Sequence, residues 1–277
     1  MREAIKDMGK AARLVDVHTH LEQYSATDLE SVLKRAGSAG VAWIVTSGMD
    51  LDTSTRAVEL SRSQSGIAVS VGIHPWVAAD GFSNALYEKL TSLSQQDTTV
   101  AIGEIGLDFV DNVFKKVVYR NNRELCSAQT EAFRRQVELA CRMKLPMIVH
   151  SRGAYPTLIT ILREQKAHRV GGVIHNFDGS IREAHELLDM GFYLSIGGAI
   201  TYPAAHELFE TFLRLPLEGI LTETDSPYMP LYKQEAENEP ANVVHVLRAL
   251  AELRRIDVER LVEIVYSNFG NLFRLPL

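Results

Sequence analysis

Short runs of β-branched and apolar residues alternate with longer amphipathic stretches along almost the whole sequence. Eight strands are predicted, at Leu14–His20, Ala42–Gly48, Ile67–His74, Val100–Leu107, Pro146–His150, Gly172–Asn176, Phe192–Ile196 and Ile220–Thr224. Helical spacing is predicted at Thr27–Ala39, Asp52–Ser65, Asn84–Ser94, Ser127–Met143, Tyr155–Gln165, Ile181–Met190, Ala204–Leu213, Asn242–Leu253 and Asp257–Leu272. Eight strand–helix repeats in roughly 250 residues are typical of an α/β fold of the (β/α)8 type, the TIM barrel.

An open, doubly wound parallel sheet is the rival fold, because it shows the same alternation. No glycine-rich phosphate-binding loop follows a predicted strand, so a nucleotide cofactor is not indicated. No Ser/Gly-rich linker divides the 277 residues. We therefore expect one barrel domain over residues 1–277, with an N-terminal extension at 1–13.

Composition excludes several classes of protein. Hydrophobic residues make up 46% and charged residues 23% of the chain, which is not the composition of a disordered protein. No apolar run is long enough to cross a membrane, and charges interrupt the first thirteen residues where a signal peptide would need an apolar segment. Cys126 and Cys141 lie about 22 Å apart if they bracket one helix, so free thiols and a cytoplasmic location are expected. A net charge of −6 argues against a general nucleic-acid coat but leaves a locally positive cleft open.

Ionisable residues gather near the C-terminal ends of five predicted strands, the end that forms the catalytic face of a barrel. They are Asp16, His18 and His20 in the first strand, Glu104 in the fourth, His150 in the fifth, His175 in the sixth, and Glu223 and Asp225 in or just after the eighth. Side chains of a strand alternate between its faces, so His18 and His20 share one face. The sequence thus predicts one cluster of imidazoles and carboxylates at the mouth of the barrel.

A single histidine at a strand end is more often a hydrogen-bonded core residue than a metal ligand. That interpretation fails for the whole set, since burying so many unpaired ionisable groups together would cost several kcal/mol for each charge. Cations between the carboxylates and neutral imidazoles remove this cost, which predicts a metal site. His74 ends the third strand, where it either contacts substrate or packs beside Trp76. Surface positions are expected for the remaining histidines, which are His168, His185, His206 and His245.

The motifs resemble those of the TatD family of metal-dependent hydrolases in order and spacing, from about Leu14 to the C-terminus. The matching segments are Asp16-Val17-His18-Thr19-His20, Gly72-Ile73-His74-Pro75, Gly103-Glu104-Ile105-Gly106-Leu107-Asp108, His150-Ser151-Arg152, His175-Asn176-Phe177-Asp178-Gly179, Glu223-Thr224-Asp225-Ser226-Pro227, Asn238-Glu239-Pro240 and Asn268-Phe269-Gly270-Asn271-Leu272-Phe273. The resemblance implies a TIM barrel of the amidohydrolase-like superfamily with two divalent metal ions. His18, His20 and Asp225 would bind the first ion. His150 and His175 would bind the second, and Glu104 would bridge the two.

The resemblance also implies an activity, that of a Mg²⁺-dependent deoxyribonuclease, often a 3′–5′ exonuclease acting on single strands. Some relatives cleave D-aminoacyl esters from tRNA. Imidazole-rich sites suit Zn²⁺ or Mn²⁺ by ligand softness, whereas Mg²⁺ prefers oxygen ligands, so the identity of the metal stays open at this point.

Three segments depart from the family's usual pattern. Asp178 stands where many family nucleases have serine, and Tyr202-Pro203 stands where they have a Phe-Lys pair. An Arg-Gly pair often precedes the Asn-Glu-Pro motif, whereas here the stretch is Lys233-Gln234-Glu235-Ala236-Glu237. These changes remove positive charge or add negative charge at the rim. They weaken the expectation of tight DNA binding. The segment Gly197-Gly198-Ala199-Ile200-Thr201-Tyr202-Pro203 looks closer to a less characterised branch of the family.

The leading hypothesis is a phosphodiesterase acting on single-stranded DNA ends. Two cations about 3.5–4 Å apart can activate a hydroxide and polarise a phosphoryl oxygen, with Asp225 orienting the hydroxide and accepting its proton. Arg152 and His74 are the expected substrate contacts, together with Lys115 and Lys116 in the loop at 111–123. An ordinary solvated loop with no contact to substrate explains this segment about equally well. The alternative function is an esterase or amidase such as a D-aminoacyl-tRNA deacylase, and a non-catalytic metal-binding scaffold ranks third. Neither a membrane nor a protein partner is indicated.

Overall fold

Eight parallel strands form one sheet in chain order in the computed structural model, which describes residues 13–111 and 122–275. The strands are β1 (Leu14–Thr19), β2 (Val41–Ser47), β3 (Ile67–Val71), β4 (Thr99–Asp108), β5 (Met147–Arg152), β6 (Gly172–Ile174), β7 (Phe192–Ile196) and β8 (Ile220–Thr222). Each strand pairs in parallel with the next one. The predicted α/β barrel is confirmed, and the rival strand order of an open, doubly wound sheet is excluded.

Helices connect successive strands, as the right-handed β–α–β crossover requires. In the described residues they are α1 (Ala26–Ser38), α2 (Leu51–Ser63), α3 (Pro75–Ala78), α4 (Asn84–Ser94), α5 (Arg123–Met143), α6 (Tyr155–Glu164), α7 (Ile181–Asp189), α8 (His206–Arg214), α9 (Val243–Arg254) and α10 (Val258–Phe273). Side chains cap several helix starts: Ser25, Asp50, Ser83 and Ser180 each accept a hydrogen bond from a first-turn backbone N–H. No helix among the described residues has the length and hydropathy needed to cross a membrane.

Two helices, α5 and α3, differ most from the sequence prediction. The helix predicted at Ser127–Met143 begins earlier, at Arg123, where the side chain of Asn122 accepts a hydrogen bond from the backbone of Leu125. The helix begins with two exposed charged residues, Arg123 and Glu124, so hydrophobic spacing alone does not reveal its start. The short α3 was not predicted, because a four-residue helix is too short to show a period. Its start at Pro75 follows the known preference of proline for the first helical position.

The strands are buried on both faces, as expected of a barrel enclosed by helices. Val69, Ile102 and Ile148 are among the side chains with no exposed surface. Cys126 and Cys141 both lie on α5, with no disulfide between them, in agreement with the sequence expectation.

Closure of the barrel between β1 and β8 depends on backbone hydrogen bonds at the C-terminal ends of these strands. The amide of His20 donates to the carbonyl of Ser226 at 2.7 Å, and the amide of Asp225 donates to that of His18 at 3.0 Å. The last strand is thereby held against the first, with Asp225 beside the His-x-His pair.

Candidate metal centre

Glu104 lies at the centre of the polar cluster, with its two carboxylate oxygens facing different imidazoles. Its Oε2 is 3.5 Å from His18 Nε2 and 3.6 Å from His20 Nε2. Its Oε1 is 2.9 Å from His175 Nε2, 3.0 Å from His150 Nδ1 and 3.3 Å from His74 Nε2. The side chain is only 3% exposed. A carboxylate oriented in this way can contact two ions at once.

Asp225 completes the group around Oε2. Its Oδ1 lies 3.5 Å from His18 Nε2 and 3.4 Å from His20 Nε2. The backbone of Asp225 has φ +56°, a left-handed conformation that is uncommon for a residue with a side chain. Strain of this kind is often retained at functional sites, where the surrounding structure holds it.

We call the atoms around Glu104 Oε2 the first ligand group; they are Oε2 itself, His18 Nε2, His20 Nε2 and Asp225 Oδ1. This group fits a metal ion in spacing and in chemistry. Atoms about 2.1 Å from an ion in a tetrahedral arrangement lie about 3.4 Å from one another, close to the distances measured here. His18 Nε2 is also buried without a hydrogen-bond partner. An unsatisfied buried nitrogen is costly, and an ion at this position would satisfy it.

Three overlapping groups of side chains in the described residues can hold an ion. They are His18–His20–Asp225, His18–Glu104–His175 and His74–Glu104–His150, each with one ligand atom per residue within 4.8 Å of the others. The groups overlap because they share His18 and Glu104. His175 comes close to His18 because the two rings stack, with their centroids 4.0 Å apart. Distances alone therefore do not separate ligands from supporting residues.

Hydrogen-bond partners make the distinction for three of the histidines. His20 Nδ1 is 2.9 Å from the carbonyl oxygen of Ser47, His175 Nδ1 is 3.4 Å from Glu223 Oε1, and His150 Nε2 is 3.3 Å from Asp108 Oδ2. A carbonyl or carboxylate only accepts, so in each ring that nitrogen carries the proton. The other nitrogen faces Glu104, and when it is deprotonated its lone pair would point at an ion there. This is how metal-binding histidines are usually oriented.

His74 has the opposite arrangement. Its Nδ1 accepts a hydrogen bond from the backbone N–H of Trp76 at 3.1 Å, so in the neutral ring the proton is on Nε2. Burial lowers the pKa of His74 to about 4, despite the opposing charge of Glu104, and the ring is therefore neutral at pH 7. His74 thus donates to Glu104 Oε1 and has no lone pair for an ion there. It also packs against the Trp76 ring, as one of the two sequence alternatives proposed.

The local electrostatics favour a charged pair of carboxylates. Burial by itself would raise the pKa of Glu104, but the surrounding imidazoles hold it well below its usual value. The neighbouring histidines likewise lower the pKa of Asp225. Burial opposes protonation of His20, yet its hydrogen bond to Asp225 and the nearby carboxylates raise its pKa to about 9. Without metal, protons on the imidazoles thus balance part of the negative charge.

Sequence reasoning assigned no supporting role to Asp108 or Glu223, although it placed Glu223 in the predicted cluster. Asp108 accepts from Trp76 Nε1 at 2.8 Å as well as from His150. Glu223 also accepts a 2.5 Å hydrogen bond from Ser195. Both carboxylates stand in the motifs quoted above, and Asp108 follows Glu104 by four residues on one strand. Period-2 alternation was therefore a usable signal for Asp108.

Not every predicted site residue joins the cluster. Asp16 is buried, and its carboxylate is bound by Thr224. Arg152 is exposed at the end of β5, where it pairs in register with Asp108 of β4. Lys115 and Lys116 lie outside the described residues.

Comparisons with known proteins agree with this geometry. A family model described as TatD related DNase matches residues 15–274. Among curated relatives, the uncharacterized metal-dependent hydrolase YabD of Bacillus subtilis is 38% identical over 265 residues, covering 95% of this chain and 99% of the relative. The uncharacterized metal-dependent hydrolase YcfH of Escherichia coli is 33% identical over 267 residues, covering 95% of this chain and 96% of the relative.

A solved structure also matches along the whole fold. The crystal structure of the Escherichia coli TatD homolog YjjV superposes with a TM-score of 0.87 at 30% identity, covering 96% of this chain and 100% of that one. The motifs, the imidazole–carboxylate cluster and the matches in sequence and structure lead to one conclusion: the chain belongs to the TatD family of metal-dependent hydrolases.

Proposed function

We propose that the protein is a two-metal phosphodiesterase that shortens single-stranded DNA from an end, as a 3′–5′ exonuclease. The observation that carries the proposal is the orientation of Glu104, whose two oxygens face separate groups of imidazole nitrogens at the C-terminal face of the barrel. Family membership through a model described as TatD related DNase supports a nucleic-acid substrate.

The ligand groups divide between two ions. His18 Nε2, His20 Nε2, Asp225 and Glu104 Oε2 would hold the first ion, and His150 Nδ1, His175 Nε2 and Glu104 Oε1 would hold the second. When bound, such ions polarise a phosphoryl oxygen and lower the pKa of water. Four imidazoles favour Zn²⁺ or Mn²⁺, and Mg²⁺ would act at higher concentration.

The protein's own groups then have separate roles. Asp225 is ionised at neutral pH and its side chain is 13% exposed, so it can orient the attacking water and accept its proton. The hydrogen bond from His74 holds the central Glu104 in place. The chain of hydrogen bonds from Trp76 through Asp108 keeps the His150 ring turned towards the centre.

Substrate phosphate would be held by residues around this centre. Arg152 lies two residues beyond His150 and is exposed, so its guanidinium is available to contact a phosphate with two parallel hydrogen bonds. We keep Lys115 and Lys116 as candidate contacts to the DNA substrate. Reversing both to glutamate should weaken DNA binding and flatten its salt dependence, whereas an unchanged salt slope would exclude them.

The test uses metal-free protein reconstituted with Zn²⁺, Mn²⁺ or Mg²⁺ and supplied with 5′- and 3′-labelled single-stranded DNA. A ladder that shortens from the 3′ end, abolished by a chelator and by Glu104→Gln, is expected. The matched control is Glu124→Gln, which makes the same change on an exposed position of α5. Lack of hydrolysis with every metal would contradict the proposal.

A second function is favoured by the acidic residues of the segment that follows Asp225, which are Glu235, Glu237 and Glu239. A cleft of about 460 Å³ is lined in part by Asp28, Glu237 and Glu239, and only the last of these three is paired with Arg35, at 2.6 Å. Such a rim suits a substrate with few phosphates near the scissile bond, such as the ester of a D-aminoacyl-tRNA. The experiment therefore includes this ester, and hydrolysis of the ester alone would reverse the order of the two functions.

A further inference from the structure

We propose that an exposed aromatic shelf beside the metal centre, formed by Tyr202, Tyr228, Met229 and Tyr232, stacks the unpaired bases at the end of a single-stranded DNA substrate. The inference rests on the proposed phosphodiesterase function. It adds the means by which the site would recognise a strand end.

The shelf is distinguished by where exposed hydrophobic side chains occur. Among the described residues, five large hydrophobic side chains are exposed, and the four of the shelf have exposed fractions between 37% and 45%. All four lie in the segments that follow β7 and β8, at the catalytic face. The fifth is Leu213, at 45%, near the end of α8. Exposed apolar groups concentrated beside a catalytic centre indicate a binding surface.

The shelf is continuous with the metal centre. The ring of Tyr228 lies edge-on to the ring of His20, with the centroids 5.5 Å apart. The Tyr228 hydroxyl donates to the side chain of Gln23, three residues beyond His20. A group stacked on Tyr228 would therefore lie next to the scissile bond held at the first ligand group.

Hydrogen bonds between the two loops hold the shelf rigid. The Tyr202 hydroxyl donates to the carbonyl of Pro230 at 2.9 Å, and the backbone N–H of Tyr232 donates to Thr201 Oγ1 at 2.9 Å. Gly198 permits this close packing, because a Cβ there would lie 2.7 Å from the carbonyl oxygen of Met229. A surface already ordered before binding loses little conformational freedom when a ligand stacks on it.

The tyrosine rings pack against each other at the outer part of the shelf. Tyr202 and Tyr232 lie edge-to-face with centroids 5.6 Å apart. Asn238 anchors the inner part, since its side-chain amide donates to the carbonyls of Thr224, Tyr228 and Met229. The backbone that carries the shelf is thus tied to the end of β8, directly before Asp225.

The charge around the shelf indicates which ligand chemistry it suits. Lys233 lies with its Nζ 5.1 Å from the Tyr232 ring, while Glu235 and Glu237 follow in the same loop. Since these three residues carry no net positive charge, phosphate attraction is weak and aromatic stacking becomes the main contribution. Only unpaired bases present open faces, so the shelf selects a single-stranded end over a duplex.

The test measures binding by the metal-loaded protein of a labelled single-stranded oligonucleotide whose phosphorothioate linkages resist cleavage. Tyr232→Ala should weaken binding about tenfold, the loss typical of one stacked base, and the Tyr202→Ala/Tyr232→Ala double variant should weaken it further. Tyr232→Phe keeps the ring and should bind like the wild type. Leu213→Ala is the matched control, since it removes an equally exposed hydrophobic side chain outside the shelf.

A modified oligonucleotide separates stacking from a structural effect. Abasic residues at the strand end should weaken binding by the wild type about as much as Tyr232→Ala does, and should add little to the loss in that variant. Equal binding of the intact strand by the wild type and by Tyr232→Ala would overturn the role of the shelf. So would a full further loss of affinity when the variant is given the abasic strand. If the wild type nevertheless hydrolyses unmodified strands, the proposed function stands without the shelf. Failure of both hydrolysis and binding would overturn both.

Discussion

Asp16 on the first strand accepts two hydrogen bonds from Thr224, just after the last strand: one from the backbone N–H at 2.9 Å and one from the hydroxyl at 2.6 Å. The Asp16 side chain has no exposed surface. Because Thr224 immediately precedes Asp225, this link helps to close the barrel and also determines where the Asp225 carboxylate lies. Barrel closure and assembly of the candidate metal centre thus depend on the same contact.

Asp16→Ala should lower the free energy of unfolding by about 2–4 kcal/mol, since it leaves two buried donors of Thr224 without an acceptor. Denaturant titration of the metal-free protein measures the loss. Asp16→Asn keeps one acceptor and should cost less. A change below about 0.5 kcal/mol for the alanine variant would show that the link contributes nothing to closure.

Glu104→Gln should lower the number of bound metal ions and reduce turnover by about a hundredfold or more, because the proposed anionic bridge is replaced by a neutral amide. Metal analysis after dialysis and steady-state kinetics on the same sample provide the two readouts. Full occupancy by two ions together with wild-type turnover would exclude the bridging role.

His74→Gln and His150→Gln should differ in metal content. His74 donates to Glu104 and has no lone pair facing the centre, so its substitution should leave metal content unchanged while turnover falls. His150 turns Nε2 towards Asp108 and Nδ1 towards Glu104, so Nδ1 is the proposed ligand atom and substitution of His150 should remove metal. The two rings lie 4.7 Å apart, which makes each variant a close control for the other. Loss of metal from His74→Gln would show that His74 is a ligand after all.

Asp225→Asn should fold normally and lower turnover by several orders of magnitude, because the amide cannot accept the proton of an attacking water. Circular dichroism checks the fold, and the kinetics are compared with those of Asp178→Asn, a carboxylate that bonds Tyr155 rather than the cluster. Near-normal turnover in Asp225→Asn would mean that the general base lies elsewhere.

The stability of the metal-free protein should fall as the pH rises above neutrality. Folding raises the pKa of His20 from 6.5 to about 9, so protonated His20 contributes stability that is fully present below pH 6.5 and is lost as the pH rises through about 9. The loss is on the order of 3 kcal/mol, according to the free energy of such a shift. Chemical denaturation at pH 6 to 10 measures it.

Two controls isolate the contribution of His20. His20→Asn removes the titrating group and should flatten the pH dependence. Metal-loaded wild-type protein should also show a flatter dependence, since an ion replaces the proton. An equally steep slope in His20→Asn would assign the effect to other groups.

Several features follow from local pattern and could be derived without a structure. Strand–helix alternation predicted the barrel, because each period is determined within a few residues of the chain. The two-residue spacing of His18 and His20, and the positions of Glu104, His150 and His175 at strand ends, predicted a common polar cluster for the same reason. The charged start of α5 at Arg123 and Glu124 and the four-residue α3 were missed, since neither carries a hydrophobic period.

The roles proposed within the cluster depend on contacts that only the tertiary structure provides. His74 and His150 look alike in sequence, yet one nitrogen of His74 meets a backbone N–H while one nitrogen of His150 meets the carboxylate of Asp108. A neutral imidazole has one proton and one lone pair, so the hydrogen-bond partner determines which nitrogen can bind metal. The aromatic shelf likewise exists only because loops some 30 residues apart pack together. Local periodicity determines the secondary structure and the strand ends, but proton positions and shared surfaces depend on contacts between residues distant in the chain.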